Sequence, residues 1–135
     1  MDKKLYLVDL PGYGYAKRSA EDKKRWSALT DGFFTARNEG DTSLKAVAQL
    51  IDMKAGPTAD DEMMLDYLNT VNIPYFIVVT KADKTNKTDR NKMLEYIKGH
   101  PSVKDGTPIV PFSSLKNEGK DEVWAEILRH CDTQR

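Results

Sequence analysis

The sequence predicts an α/β domain built on a mostly parallel sheet of about four strands with helices on both faces. Three observations carry this. Short apolar runs alternate four times with segments whose apolar residues fall at helical spacing. Four strand–helix repeats in a row require crossover connections, hence parallel strands with helices laid over them. The 135-residue length fits one domain, and a chain of this size buries roughly two thirds of its unfolded surface.

The elements follow in order. Lys4 to Asp9 reads as the first strand and Ser19 to Arg37 as a helix, with Trp26, Leu29, Phe33 and Phe34 on one side. "LKAVAQLID", Leu44 to Asp52, reads as a buried strand. In "GPTADDEMMLDYL", Thr58 is suited to cap a helix, and Asp60, Asp61 and Glu62 suit its positive end. Met64, Leu65 and Leu68 form that helix's apolar side. "YFIVV", Tyr75 to Val79, is the clearest strand. A helix over Lys87 to Lys98 follows, with Met93, Leu94 and Ile97 apolar. "PIVPF" is a short strand. A last helix over Lys120 to His130 carries Val123, Trp124, Ile127 and Leu128, with Trp124 expected in the core or at its edge.

Composition narrows the function classes. Lys plus Arg and Asp plus Glu number 21 each, which argues against a generally basic nucleic-acid binder and for no DNA partner. The single cysteine, Cys131, cannot form an internal disulfide. No apolar run approaches the roughly 20 residues of a membrane span, and no signal segment opens the sequence. A cytoplasmic protein without a membrane partner is expected.

The chemistry-bearing residues sit at strand ends, where open α/β sheets bind ligands. Asp9-Leu10-Pro11-Gly12 closes the first strand. In phosphate-loop NTPases an aspartate so placed helps hold Mg²⁺, and the glycine lets a backbone N–H approach the last phosphate. Alone, the pattern is weak and fits a plain strand followed by a Pro-Gly turn better. Thr80-Lys81-Ala82-Asp83 closes the "YFIVV" strand. An aspartate there can accept from the N1–H and N2–H₂ of guanine, a donor pair adenine lacks, while the lysine stem lies across the base. Phe112-Ser113-Ser114 follows the next strand, and a backbone N–H of this turn can donate to guanine O6. Ser-Ser loops are common, so its value is positional.

The wording of these motifs narrows the family. "VDLPGYGYAK", "TKADK" and "PFSSLKNEGKDEVW" closely resemble the EngB/YihA/YsxC family of bacterial ribosome-biogenesis GTPases, and the resemblance runs over essentially the whole chain. "DLPGYGYA" is its most specific part, because phosphate binding does not demand the tyrosines. An Era-like or Der-like domain is disfavoured by the "GYGYAK" wording. The resemblance implies a Ras-like phosphate-loop NTPase fold, GTP or GDP as ligand and Mg²⁺ on Asp9. It further implies a partner in the large ribosomal subunit or its rRNA, and a role in subunit assembly and division septation.

One family motif is missing from the sequence. G-x-x-x-x-G-K-S/T occurs nowhere, and Gly99, Gly106 and Gly119 lack the pattern. That loop supplies most of the β/γ-phosphate contacts and a Mg²⁺ ligand. The sequence therefore reads as a partial G domain over residues 1–135, with weak nucleotide and Mg²⁺ binding and hydrolysis expected of the whole protein only. Without the central phosphate-loop strand, the Lys4–Asp9 and Leu44–Asp52 strands are expected to pair directly, leave a cleft or recruit another chain. The alternative is a non-catalytic ribosome- or RNA-binding fragment of a degenerate G domain.

The remaining candidates are weaker. Tyr13 stands where many GTPases have a water-orienting glutamine, and a phenol is a poor substitute, so no catalytic residue is assigned. Lys17, Arg18, Lys23, Lys24 and Arg25 form either a solvated helix face or a contact to RNA phosphates. His100 and His130 have no sequence neighbours at metal-ligand spacing.

Overall fold

The computed structural model describes residues 45–133. The strand expected over Lys4–Asp9, the helix over Ser19–Arg37 and the Asp9–Gly12 motif lie outside the described residues. Within them run β1 (Val47–Asp52), α1 (Ala59–Thr70), β2 (Tyr75–Thr80), a short 3-10 turn (Ala82–Lys84), α2 (Lys87–Lys98), β3 (Ile109–Pro111) and α3 (Lys120–Thr133).

The three strands form one parallel sheet in the order β1-β2-β3. Val47 stands opposite Tyr75 and Asp52 opposite Thr80, while Ile77 to Val79 face Ile109 to Pro111. β2 is central, and its first five residues are buried. A strand covered on both faces needs apolar, β-branched or aromatic side chains at every position rather than alternation, which "YFIVVT" supplies.

One face of the sheet carries α1 and α2. Ile51, Ile77 and Val79 point to this side and join Leu65 and Leu68 of α1 and Ile97 of α2 in one cluster. α1 starts where the sequence predicts. Thr58 Oγ1 accepts from the Asp61 N–H at 3.1 Å, and Asp61 Oδ2 accepts from the Thr58 N–H at 2.9 Å, a reciprocal capping box. The other Asp61 oxygen accepts from Gln49 Nε2 of β1 at 3.1 Å, so the cap also docks the helix on the sheet. α2 is capped by Asn86, whose Oδ1 accepts from the Asp89 N–H at 2.8 Å. Away from the strands' carboxyl ends, Tyr75 donates to Asn69 Oδ1 at 2.9 Å and accepts from the Lys104 N–H at 2.9 Å. This phenol ties α1, β2 and the loop before β3 together.

The opposite face carries α3, whose His130 ring stacks on Phe76 with centroids 5.7 Å apart. Here the structure corrects two expectations. The "LKAVAQLID" segment begins its strand at Val47 rather than Leu44, and it is not buried throughout: Ala48 and Leu50 are exposed, Leu50 by 59%. Register puts them on the side of Phe76 and Val78, where α3 reaches the central strand and, among the described residues, leaves Ala48 and Leu50 of β1 exposed. Trp124 and Leu128 of α3 are also exposed, by 43% and 53%, which places Trp124 outside the core proper.

Candidate functional site

The carboxyl ends of β2 and β3 bring two predicted motifs together. After Thr80 the chain leaves the sheet through Lys81, which adopts left-handed backbone angles (φ 58°, ψ 39°). A non-glycine residue in this region is uncommon and costs on the order of 1–2 kcal/mol, so surrounding contacts must hold it. They are present. The Ala82 N–H donates to Phe112 O at 3.0 Å, the Phe112 N–H to Val79 O at 2.8 Å, and the Lys84 N–H to Lys81 O at 2.9 Å. The two loops are thus stitched backbone to backbone, with Ala82 buried between them.

Side chains add a second tie. Ser113, buried, donates through Oγ to Asp83 Oδ1 at 2.6 Å. That bond is the main cause that holds the Asp83 carboxyl below its ordinary value; slight desolvation opposes it, and its own N–H and the Lys84 and Lys116 ammonium groups add to the lowering. Asp83 is therefore an ionised acceptor at neutral pH.

The serine turn is itself braced. Ser113 and Glu118 exchange backbone hydrogen bonds of 3.0 and 2.9 Å across the turn. Arg90 of α2 grips both carboxylate oxygens of Glu118, a bidentate pair that fixes geometry as well as charge. Gly119 closes the turn at φ +85°, where a Cβ would collide with the Pro111 carbonyl oxygen. Only glycine meets both demands.

Between the loops lies a cavity of about 520 Å³, lined by Thr80, Lys81, Asp83, Lys84, Phe112, Ser114 and Leu115. Its size is that of a small-ligand site. A smaller cavity, about 290 Å³, lies by Lys98, Lys104 and Ile109 at the start of β3. It sits at the strand end opposite to the one open α/β sheets use, and the larger cavity is the candidate.

Of the expected site residues, Thr80, Lys81, Asp83, Phe112 and Ser114 line this cavity. Ala82 and Ser113 are buried behind it as supports. Asp9, Leu10, Pro11 and Gly12 lie outside the described residues. The structure also sorts the N–H groups of the serine turn. Those of Phe112 and Ser113 are committed to Val79 O and Glu118 O, so of the three predicted residues it is Ser114 whose N–H carries no such backbone bond. Lys84, Leu115, Arg90, Glu118 and Asp52 were not singled out from sequence. Leu115, 73% exposed, adds apolar surface at the rim. Local signals existed for three of them: Lys84 is the last residue of "TKADK", and Leu115 and Glu118 fall within "PFSSLKNEGKDEVW".

Asp52, at the end of β1, faces the same rim. Its Oδ1 accepts from the Lys54 and Ala55 N–H groups at 2.8 and 3.1 Å, and Oδ2 lies 3.3 Å from Lys81 Nζ. Desolvation alone would raise this carboxyl; the Ala55 and Lys54 N–H bonds, with Lys81, outweigh it and hold the group below its ordinary value. Among the described residues no group of three His, Cys, Asp or Glu could hold a metal ion, and Asp9, the residue expected to meet Mg²⁺, lies outside them. His100 Nε2 lies 3.1 Å from Glu62 Oε1, a structural pair between the end of α2 and α1. No helix among the described residues is long and apolar enough to cross a membrane.

A parallel sheet with helices on both faces, and two interlocked loops at the carboxyl ends of neighbouring strands, make an α/β fold of the class that solved GTPases share. Solved structures bear out the fold. Apo translation elongation factor SelB from Methanococcus maripaludis superposes with a TM-score of 0.70 over 95% of this chain and 25% of its own, at 21% identity. A crystal structure of a probable GTP-binding protein engB gives 0.69 over 90% of this chain and 74% of its own, at 16% identity. Within that class the chain belongs to the EngB family. It is 40% identical over 127 residues to the probable GTP-binding protein EngB of Limosilactobacillus reuteri, covering 94% of this chain and 63% of that protein. It is 36% identical over 124 residues to that of Geobacillus kaustophilus, with 92% and 62% covered, and 37% over 134 residues to that of Bacillus cereus, with 99% and 66% covered. The chain spans a little under two thirds of the length of these curated relatives. No family model matches it.

Proposed function

We propose that this chain binds guanine nucleotides, GTP or GDP, through the cavity between the Thr80–Asp83 and Phe112–Ser114 loops. The observation that carries the reading is the Asp83 carboxylate, ionised and oriented by Ser113 at the rim of that cavity. A planar base seated there would present N1–H and N2–H₂ to Asp83 and O6 to the Ser114 N–H, with the Lys81 stem and Leu115 offering apolar surface. Discrimination arises because adenine brings no such donor pair and would leave the carboxylate unpaired.

Two comparisons support the reading. The curated relatives are named probable GTP-binding proteins, and SelB, whose fold this chain shares, has been solved with the GTP analogue GPPNHP at a TM-score of 0.61. From the resemblance of the motifs, we further propose that hydrolysis belongs to an EngB-type protein with a complete phosphate loop. Its cellular role is large-subunit ribosome assembly and normal septation in the cytoplasm, with the large subunit or its rRNA as partner. Asp9 is the residue this reading gives to Mg²⁺. A second reading, binding without turnover, is favoured by the missing G-x-x-x-x-G-K-S/T motif.

The test is a calorimetric titration of the chain with GDP and ADP, followed by Asp83→Asn. GDP is expected to bind and ADP not. Asp83→Asn should lose GDP and gain the xanthine nucleotide, whose 2-carbonyl the new amide can donate to. Equal binding of GDP and ADP would sink the reading. GTP incubation with phosphate detection separates turnover from binding alone.

A further inference from the structure

We infer that Asp52 is a positioning residue for the guanine base: its carboxylate anchors the Lys81 ammonium so that the lysine stem stands as a preformed wall of the cavity. The inference deepens the guanine reading and rests on it. It begins with geometry at the strand ends. Asp52 and Thr80 are register partners on adjacent parallel strands, and the Met53 N–H donates to Thr80 O at 2.9 Å, so the two loop origins move as one. One Asp52 oxygen is occupied by the Lys54 and Ala55 N–H groups, which orients the carboxylate; the other meets Lys81 Nζ at 3.3 Å. The lysine is held at both ends: at its backbone by the left-handed conformation and at its tip by Asp52. A long side chain otherwise free to sample many rotamers is ordered before a ligand arrives.

The direction of the anchor matters as much as its existence. Lys81 is two residues from Asp83 and lines the same cavity, and an ammonium drawn to Asp83 would compete for the lone pairs a guanine edge needs. Pairing with Asp52 instead leaves the Asp83 carboxylate its contact to Ser113 and its remaining acceptor capacity. The simpler alternative is an incidental surface ion pair. Lys81 is 66% exposed at its side chain and Asp52 32%, and such pairs contribute little to folding. The two readings therefore separate cleanly, because a positioning role appears in ligand affinity and not in melting temperature.

The experiment is a double-mutant cycle on the full chain, with GMP as probe, AMP as control and binding followed by NMR titration. Asp52→Asn keeps an oxygen for the two N–H groups and removes the charge; Lys81→Met keeps an apolar stem and removes the ammonium. Ordering one long side chain is worth roughly three- to tenfold in affinity. Each single variant is expected to weaken GMP binding by about that factor, and the double variant to be no weaker than either alone. The melting temperature of Asp52→Asn should move by no more than about 5 °C. Failure of the unsubstituted chain to bind GMP over AMP overturns this inference together with the guanine reading. Selective GMP binding that Asp52→Asn leaves unchanged, or an equal loss when Asp52→Asn is made on the Lys81→Met background, overturns this inference alone.

Discussion

The face of the sheet under α1 and α2 and the rim at its carboxyl ends are built on opposite rules. The face is closed mainly by apolar side chains, with Ile51, Leu65, Leu68, Ile77, Val79 and Ile97 each at most 1% exposed, and its buried polar pair, Gln49 and Asp61, is hydrogen-bonded to itself. The rim is polar, partly open, and holds a left-handed lysine, a positive-φ glycine and a serine–aspartate bond. Burial holds the face together without specifying any chemistry. Backbone strain and directional hydrogen bonds set the rim's geometry and contribute little net stability. Placing the second on the first lets a few strained residues keep a fixed arrangement, since β2 and β3 cannot shift without breaking the packed layer beneath.

The sharpest way to break this contrast is to open the face. Leu65→Ala removes a fully buried side chain between α1 and the sheet and should destabilise by about 2–5 kcal/mol, read as a lower denaturation midpoint in urea. A much smaller loss would mean the layer is looser than its burial suggests. Next comes the rim's most constrained point. Gly119→Ala places a Cβ against the Pro111 carbonyl at φ +85° and should cost about 1–3 kcal/mol. It should weaken guanine-nucleotide binding beyond the stability loss, because the serine turn must shift. Unaltered binding alongside lowered stability would separate the turn's bracing from the site.

The smallest expected effect is on acid stability. The folded state holds the Asp83 carboxyl below its ordinary value, so the group's contribution is fully present above that value, near pH 4, and fades as pH falls through the lowered folded-state value. Melting curves of the wild type and Asp83→Asn should therefore converge below about pH 4 and differ slightly at neutral pH. A difference that grows as the pH falls would reverse the sign and remove the Ser113 bond as its cause.

Much of this was written locally. The α2 bounds, Lys87 and Lys98, agree with apolar spacing, and the Thr58 cap and acidic first turn of α1 are set by residues within one helical turn. The exposure of Leu50, Trp124 and Leu128 was not legible, because an apolar residue carries no mark of whether a neighbour reaches it. Neither was Arg90 gripping Glu118, 28 residues away, nor Asp52 reaching Lys81.

By itself the sequence determined the parallel α/β class and the strand ends that carry Thr80–Asp83 and Phe112–Ser114, since periodicity, capping and turn chemistry act between near neighbours. Only the tertiary structure decided that Ser113 donates to Asp83, that the Phe112 and Ser113 N–H groups are taken by Val79 and Glu118, and that Lys81 turns to Asp52. Those outcomes depend on how strands distant in sequence fall into register. The register follows from burying "YFIVV" between two helical layers, not from any residue of the site.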